Sequence, residues 1–222
     1  MYFNFKNKQD IQELKLMSEL IKPGDSIVDV GANIGFYAKK FSELTGSNGS
    51  VTCFEPDDYN YLRLLQTIHN LPNVKSLKAA VSSTTGQLEF YTSPDKNVDH
   101  RAYAHDEFAT KYTVDCISLD EYLGENAKVD ILKVDVQGFE MQVYAGAKNI
   151  LENNQTIKIF SEFWPSGLLK AGSSKEAYFN FFTEKGFKIF LLKDNLQTLI
   201  TEASLQNFHV TEEAYFNVFI TR

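Results

Sequence analysis

Apolar and polar positions follow two different periods along most of the chain. Short apolar runs, such as SIVDV at 26–30 and VTCFE at 51–55, are followed by segments in which apolar residues recur every three to four positions. The short runs predict strands, and the longer spacing predicts amphipathic helices. Several strands are apolar on both faces, as strands between two layers of helices must be. The pattern therefore predicts a doubly wound α/β fold with a mostly parallel sheet.

Two stretches depart from this alternation. Residues 86–118 lie between the third predicted strand, which ends at Ala80 and Val81, and the strand at 129–135, and they contain strand-like pieces of their own. Because such a stretch is too long for an ordinary connection, we predict a β-rich insertion that contributes to the acceptor site. Near the C-terminus, GFKIFLL and AYFNVFIT predict two strands without a long helix between them. One of these is expected to be antiparallel to the rest of the sheet.

Length and composition narrow the class of protein. The 222 residues are predicted to form one domain that begins with a helix within residues 1–22. The net charge of −7 is spread along the chain, which argues against nucleic acid as a partner. Cys53 and Cys116 lie in apolar runs, where a free cysteine packs as a core side chain. No window approaches ~18 apolar residues, so we expect no signal peptide, no membrane span and a cytoplasmic protein.

The turn after the first strand has the composition of a ligand site. It contains Asp29, Gly31, Asn33 and Gly35, at the edge of the sheet where ligands of open parallel sheets bind. The third glycine of the dinucleotide fingerprint is absent, and so is the Lys-Ser/Thr ending of a P-loop. A pyrophosphate ligand, and with it a dehydrogenase, is therefore disfavoured.

A carboxylate follows the second strand. Glu55 stands where an acidic side chain can accept hydrogen bonds from both ribose hydroxyls of an adenosine group. Ala80 and Val81, at the end of the third strand, offer apolar walls for the adenine. These positions predict a pocket for adenosine without a diphosphate, of which S-adenosylmethionine is the common case. The structural alternative is that the glycines only form a tight turn and that Glu55 caps the helix from Asp57.

Six segments follow in order over about residues 24–165: VDVGANIGFYA, FEPDD, LKAAVS, ISLDEYL, VDILKVDVQGFEMQVYAGAKNIL and IKIFSEFWP. Taken together, these segments resemble the FkbM-type family of S-adenosylmethionine-dependent methyltransferases. The resemblance implies a class I, Rossmann-like methyltransferase fold with a seven-stranded sheet whose last strand is antiparallel. It also implies S-adenosylmethionine as cofactor and O-methylation of a hydroxyl on a sugar, a glycan unit or another small metabolite.

Carried over by position, the resemblance places the methionine part of the cofactor at the glycine turn, the ribose at Glu55 and the adenine at the end of the third strand. Where this chain has Gln137, the family usually has Glu in a DVEGFE segment. If that Glu is a base or a ligand, this chain has weakened activity or uses another group. If the Glu only supports the reacting groups, Gln keeps its hydrogen bonds. The cofactor residues implied are Asp29, Gly31, Asn33, Gly35, Phe36, Glu55, Pro56, Ala80, Val81 and Asp135.

Two carboxylates are predicted to meet at the reacting side. An alcohol that is methylated must be aligned and must lose its proton, which a base or a metal ion can assist. Asp135 and Glu162 end strands expected to be neighbours, ~4.8 Å apart. Either is a candidate base, activated by burial beside a like charge. In a second interpretation, the two carboxylates bind Mg²⁺, Mn²⁺ or Ca²⁺. In a third, Asp135 anchors a turn and Glu162 pairs with Lys133 or Arg101.

Other side chains are candidates with a structural alternative beside each. Lys133 lies on the same strand face as Asp135, where it orients the substrate, neutralises developing negative charge or forms a structural ion pair. In the insertion, His105 is a candidate base, and His100 and Arg101 are candidates for recognising the acceptor; polar loops also collect such residues without function. Glu140 is expected to serve the helix dipole rather than the chemistry.

Three functions remain after these considerations. The leading one is O-methylation of a sugar or small metabolite, and the alternatives are methyl transfer to an amino group and binding of S-adenosylmethionine without catalysis. A group of late aromatic residues is expected in the core, with a homodimer face as the alternative: Tyr178, Phe179, Phe181 and Phe182.

Overall fold

The computed structural model describes residues 10–93, 96–102, 110–193, 196–211 and 214–222. The helices are α1 (Ile11–Leu20), α2 (Phe36–Thr45), α3 (Asp58–Ile68), α4 (Leu119–Leu123), α5 (Glu140–Ala145), α6 (Lys148–Asn153), α7 (Pro165–Lys170), α8 (Lys175–Thr183) and α9 (Glu202–Leu205). The strands are β1 (Ser26–Val30), β2 (Ser50–Phe54), β3 (Val74–Leu77), β4 (Ala80–Val81), β5 (Gly86–Ser93), β6 (Lys96–Arg101), β7 (Thr110–Ile117), β8 (Ile131–Val134), β9 (Lys158–Phe163), β10 (Lys188–Lys193), β11 (Leu196–Leu199) and β12 (Phe216–Thr221).

The main sheet has the strand order β3-β2-β1-β8-β9-β12-β10-β11. Strands β1, β2, β3, β8 and β9 are parallel, and β12 is antiparallel to both of its neighbours, β9 and β10. This confirms the predicted mostly parallel sheet with an antiparallel last strand. The strand order reverses at β1, which has β2 on one side and β8 on the other, so the carboxyl ends of β1 and β8 lie at a switch point.

The predicted count of seven strands is wrong by one, because β11 adds an eighth strand at the edge. It pairs antiparallel with β10, and Leu196 lies opposite Lys193. All four residues of β11 are exposed. A strand without a buried face lacks the alternation of apolar and polar residues by which a strand is predicted from sequence.

The third predicted strand also differs from the expectation. A continuous strand ending at Ala80 and Val81 was predicted, but β3 ends at Leu77 and the chain turns there, with the Ala79 N–H donating to the Leu77 carbonyl at 3.1 Å. Ala80 and Val81 form β4, which pairs with β7 in a second sheet. The sequence of β3 and β4 predicts one continuous strand, because both contain apolar residues and the turn between them contains no glycine or proline.

The second sheet confirms the predicted β-rich insertion. Its strand order is β4-β7-β5-β6, and β5 and β7 pair antiparallel from Gly86 and Cys116 to Thr92 and Thr110. Ala80, Phe90, Val114 and Cys116 are buried together in a small core of its own.

Helices cover both faces of the main sheet, which confirms the doubly wound architecture. Helices α1, α2 and α3 pack on one face around Phe41, and α5 to α8 pack on the other around Tyr144. Neighbouring strand residues alternate between the two cores, as Ile131 and Leu132 do. Tyr178, Phe179 and Phe182 are buried, as predicted. None of the helices that the structure describes has both the length and the apolar composition that a membrane span requires.

Candidate functional site

The glycine turn is packed between the end of β8 and helix α3. Gly31 has φ +81°, and a Cβ there would overlap the backbone carbonyl of Asp135. Gly35 has φ +88°, and its Cβ would lie 2.9 Å from Leu64 Cδ1. The sequence predicts these glycines for the close approach of a ligand, whereas in the structure they allow close approach of protein backbone and side chains. The turn is therefore held at a fixed position beside Asp135.

Glu55 ties the turn to the start of α3. Its Oε2 accepts from the Asn33 backbone N–H at 2.8 Å, and its Oε1 accepts from the Asp57 N–H at 3.0 Å. Burial raises the pKa of Glu55 to about 8, although the two backbone N–H groups act in the opposite direction. The N-cap of α3 is Asp57, which accepts from the Asn60 N–H. A carboxylate has about four acceptor positions, so Glu55 keeps capacity for further donors.

Asp29 is fully buried, and neither of its carboxylate oxygens has a hydrogen-bond partner among the described residues. It lies on β1 opposite Cys53 of β2 and Lys133 of β8. Burial raises the pKa of Asp29 to about 6, and the charge of Lys133 partly offsets that rise. A buried carboxyl group without a donor is costly, so this position favours a ligand that supplies one.

A cleft of about 440 Å³ opens at the carboxyl ends of β8 and β9. Its walls come from α1, α2, β10 and the antiparallel β12, and they are mostly polar. The lining residues are Asp10, Gln12, Glu13, Tyr37, Lys133, Val134, Asp135, Ser161, Glu162, Leu192, Lys193, Tyr215, Phe216 and Asn217.

The cleft brings together three of the predicted reacting residues. Gln137 Nε2 donates to Asp135 Oδ1 and to Glu162 Oε2, each at 3.3 Å, so the two carboxylate oxygens are at most twice that distance apart. Lys133 Nζ donates to Asp135 Oδ2 at 3.3 Å and lies 4.3 Å from the centroid of the Tyr37 ring. Burial alone would lower the pKa of Lys133, but the carboxylates of Asp135, Asp29 and Glu13 outweigh it and raise that pKa.

Gln137 therefore keeps a definite role despite its departure from the family pattern. Its backbone has φ +54°, in the left-handed region that residues other than glycine rarely adopt. The turn that holds it is supported by Glu140, whose Oε1 accepts from the Gly138 N–H at 3.0 Å. Glu140 is fully buried, and burial raises its pKa to about 7. Instead of serving only the helix dipole, Glu140 shapes the turn that presents Gln137 to the two carboxylates.

Helix α1 contributes a carboxylate that the sequence analysis missed. Glu13 is 5% exposed and lines the cleft, where its Oε2 lies 2.9 Å from Tyr37 Oη and accepts from Asn217 Nδ2 at 3.2 Å. Asp10 Oδ2 lies 2.8 Å from the same tyrosine oxygen. Ile11, an apolar residue at the start of the same helix, is 61% exposed. The available signal was the spacing of Glu13 with the buried Met17, four residues later on the same helix face.

The remaining predicted site residues fall into two groups, those whose surroundings the structure describes and those in the insertion whose side chains it does not. Phe36 is buried at the start of α2, and Pro56 is half-buried just after Glu55. Val81 packs in the same apolar cluster as Phe54, the last residue of β2. The side chains of His100, Arg101 and His105 lie outside the described part of the chain.

A metal ion receives no support from this arrangement. Among the described residues, no group of three or more His, Cys, Asp or Glu side chains is arranged to hold one. Both oxygens of Asp135 already face donors, Lys133 on one side and Gln137 on the other. These residues do not fit a divalent cation.

The fold and the site are those of the Rossmann-like methyltransferase class. Comparisons with known proteins identify the family within this class. Residues 29–189 match the methyltransferase FkbM domain. The chain belongs to this family. Hexuronic acid methyltransferase AglP of Haloferax volcanii is 30% identical over 154 residues, which cover 68% of this chain and 60% of that protein. The 2-O-methyltransferase NoeI of Sinorhizobium fredii is 27% identical over 168 residues, which cover 67% of each.

Solved structures agree on the fold. An rRNA methylase from Streptococcus thermophilus superposes with a TM-score of 0.54 at 11% identity, covering 95% of this chain and 93% of that one. Aeropyrum pernix fibrillarin, solved with bound S-adenosyl-L-methionine, superposes with a TM-score of 0.51 at 13% identity, covering 94% and 73%. At such low identities the likeness concerns the fold alone.

Proposed function

We propose that the protein transfers the methyl group of S-adenosylmethionine to a hydroxyl group of a sugar or glycan unit. The observation that carries this proposal is the position of Asp135. Its backbone carbonyl packs against Gly31 of the glycine turn, and its side chain lines the polar cleft. A cofactor on the turn and an acceptor in the cleft would therefore meet at this residue. Family membership and the names of the two relatives support the same reaction.

On the cofactor side, Asp29 is the proposed partner of the methionine ammonium group. Its buried carboxyl group has no donor among the described residues, and a cation would supply one. When bound, S-adenosylmethionine supplies a methyl group carried on a sulfonium. Gly31, Asn33 and Gly35 of the turn, together with Phe36, the first residue of α2, are proposed to form the wall beside that end.

The nucleoside is proposed to lie between the ends of β2 and β4. Glu55 has acceptor capacity left for ribose hydroxyls after its two backbone bonds. Pro56 follows it, and Ala80 and Val81 supply apolar surface for the adenine. The Tyr112 hydroxyl donates to Asp57 Oδ2 at 2.9 Å, which fixes the inserted sheet beside this region.

On the acceptor side, Asp135 and Glu162 are proposed to orient hydroxyl groups. Gln137 holds both carboxylates at a fixed spacing, and this preorganisation reduces the entropy cost of aligning the acceptor. Lys133 keeps Asp135 in position through its ammonium group. The sequence predicts that Asp135 or Glu162 also takes the hydroxyl proton, and Glu13, a third carboxylate of the cleft, is the alternative base.

A carbohydrate suits the lining of the cleft. Carboxylate, amide and hydroxyl groups of the walls can pair with several sugar hydroxyls, which need acceptors and donors at close spacing. Tyr215 is 51% exposed at the rim, next to Phe216 in the wall, so aromatic surface is available to a sugar face. Gln137, which from sequence was the one feature that suggested lost catalysis, is occupied in holding the carboxylates.

The proposal is tested by transfer of a labelled methyl group. The purified protein is incubated with methyl-tritiated S-adenosylmethionine and methyl glycosides of neutral hexoses, hexuronic acids, N-acetylhexosamines and free hexosamines. Label in at least one glycoside, absent with boiled protein, is expected, and mass spectrometry should place it on oxygen. Tight binding of the cofactor without labelling of any glycoside would contradict the proposed acceptor class. Label on an amino sugar's nitrogen would contradict O-methylation.

A further inference from the structure

We propose that Glu13 of helix α1 is the carboxylate that takes the proton from the acceptor hydroxyl. This inference rests on the proposed methyl transfer and adds a catalytic residue that lies outside the matched family segment 29–189. It starts from a count of protons around Tyr37. The Tyr37 oxygen lies 2.8 Å from Asp10 Oδ2 and 2.9 Å from Glu13 Oε2.

A phenol has one proton, which cannot form two short, linear hydrogen bonds. Distances of 2.8 and 2.9 Å are typical of separate O–H···O bonds. Two ionised carboxylates would leave one of these contacts as two acceptor oxygens facing each other in a buried site. The Asp10–Tyr37–Glu13 cluster therefore holds one labile proton in addition to the phenol proton.

Glu13 is the residue that carries this extra proton. Burial raises the pKa of Glu13 to about 7, the charge of Lys133 lowers it, and Asp10 and Asp135 raise it further. The phenol does not ionise instead, because burial and the two carboxylates hold the pKa of Tyr37 well above its ordinary value. When protonated, Glu13 Oε2 donates to Tyr37 and accepts from Asn217 Nδ2, so both contacts are satisfied.

The surroundings of Glu13 suit a base that works near neutral pH. The charged and titratable groups that face it are Asp10 before α1, Tyr37 of α2, and Lys133 and Asp135 at the end of β8. A base is most effective when its pKa lies near the working pH, since it is then available in the ionised form and still binds a proton well. Glu13 also lines the cleft that is proposed to hold the acceptor.

The reaction balances with this residue. The acceptor oxygen exchanges its bond to hydrogen for a bond to the methyl carbon, and the electron pair of the carbon–sulfur bond remains on sulfur. The released proton becomes bonded to the ionised Glu13. The cluster then again holds two protons, which Asp10 Oδ2, Tyr37 Oη and Glu13 Oε2 share in two hydrogen bonds.

The first test measures the protonation of Glu13 directly and needs no methyl acceptor. In protein labelled with ¹³C at glutamate side-chain carboxyls, the resonance missing from Glu13→Gln is followed against pH by NMR. A midpoint near the pKa of about 7 is expected. Glu19→Gln, which changes an exposed carboxylate on the same helix, should leave that resonance in place. A Glu13 midpoint below pH 5 overturns the proposal.

The second test uses a glycoside labelled in the transfer assay. Glu13→Gln should lower the single-turnover rate by about 100-fold or more, and the rise of rate with pH around neutrality should disappear. Binding of S-adenosylmethionine should be unchanged, since Gln can donate to Tyr37 as the protonated acid does. Retention of the pH dependence in Glu13→Gln together with its loss in Glu162→Gln would assign the proton to Glu162 instead. If no glycoside is labelled, the proposed function fails, whereas the NMR titration still decides where the proton resides.

Discussion

Gly31 and Asp135 are in direct backbone contact, so that the glycine turn after β1 and the cleft at the end of β8 share one boundary. A Cβ at position 31 would lie 3.0 Å from the Asp135 carbonyl carbon and would overlap its oxygen. The contact couples the shape of the turn to the position of the Asp135 carboxylate, which in turn is held by Lys133 and Gln137.

This contact predicts a large effect of Gly31→Ala. The left-handed conformation at φ +81° costs alanine about 1–2 kcal/mol, and the overlap with Asp135 adds about 1–3 kcal/mol of overpacking. Gly24→Ala is the matched control, because Gly24 has φ +91° but no atom of the described residues lies within 4 Å of its Cβ position. Urea unfolding should show Gly31→Ala to be the less stable variant by the overpacking cost. Equal losses in the two variants would show that the contact is unimportant.

Glu55→Ala is expected to weaken binding of S-adenosylmethionine at least about tenfold, the equivalent of ~1.4 kcal/mol for lost hydrogen bonds to a carboxylate. The same change removes the acceptor for the Asn33 and Asp57 N–H groups, so some stability is lost as well. Asp58→Ala is the control, since Asp58 is exposed and pairs with Lys78 on the surface. Isothermal titration calorimetry measures both variants. Unchanged affinity in Glu55→Ala would rule out its contact with the ribose.

Stability is expected to fall as the pH rises from about 5 to about 8. Burial raises the pKa of Glu13 and Glu140 from 4.5 to about 7, of Asp29 from 3.8 to about 6, and of Glu55 from 4.5 to about 8. Between each ordinary and raised value the folded chain binds more protons than the unfolded chain, so the free energy of unfolding decreases with pH. Urea unfolding at a series of pH values checks this. Glu140→Gln should flatten the slope, and stability that increases toward pH 8 would contradict the expected protonation.

Methyl transfer is expected to be insensitive to chelators. Lys133 and Gln137 already supply donors to both oxygens of Asp135, which leaves that carboxylate poorly disposed to bind a divalent cation. Rates measured after dialysis against EDTA should equal those with added Mg²⁺ or Mn²⁺. Loss of turnover in EDTA and its return with Mg²⁺ would show that the carboxylate pair holds a metal ion after all.

Much of this arrangement could be predicted from the sequence, because it depends on local patterns. The apolar runs around Asp29 and Lys133 identify strands, and the turn residues after Asp29 identify the ligand edge of the sheet. Ordering these strands brings Asp135 and Glu162 together, and the structure confirms that both line one cleft. Their bridging by Gln137 depends on a left-handed backbone at a non-glycine position, which the sequence does not reveal.

What the sequence did not predict depends on tertiary packing. An apolar run does not reveal the turn between Leu77 and Ala80, which sends Ala80 to the second sheet, and β11 is defined by its pairing with β10. The packing of α1 against β10 and α2 buries Glu13, although a glutamate on a helix is usually solvated. A buried carboxylate on an amphipathic helix needs partners from elsewhere in the chain, here Tyr37 and Asn217, and those partners are known only once the chain is folded.

The most direct test of methyl transfer across the Gly31–Asp135 boundary is a crystal structure of the protein with S-adenosylhomocysteine. The ribose hydroxyls should lie within hydrogen-bond distance of Glu55, the amino group near Asp29, and the sulfur toward the cleft lined by Asp135 and Glu162. A ligand bound elsewhere, or with its sulfur directed away from that cleft, would contradict the proposed site.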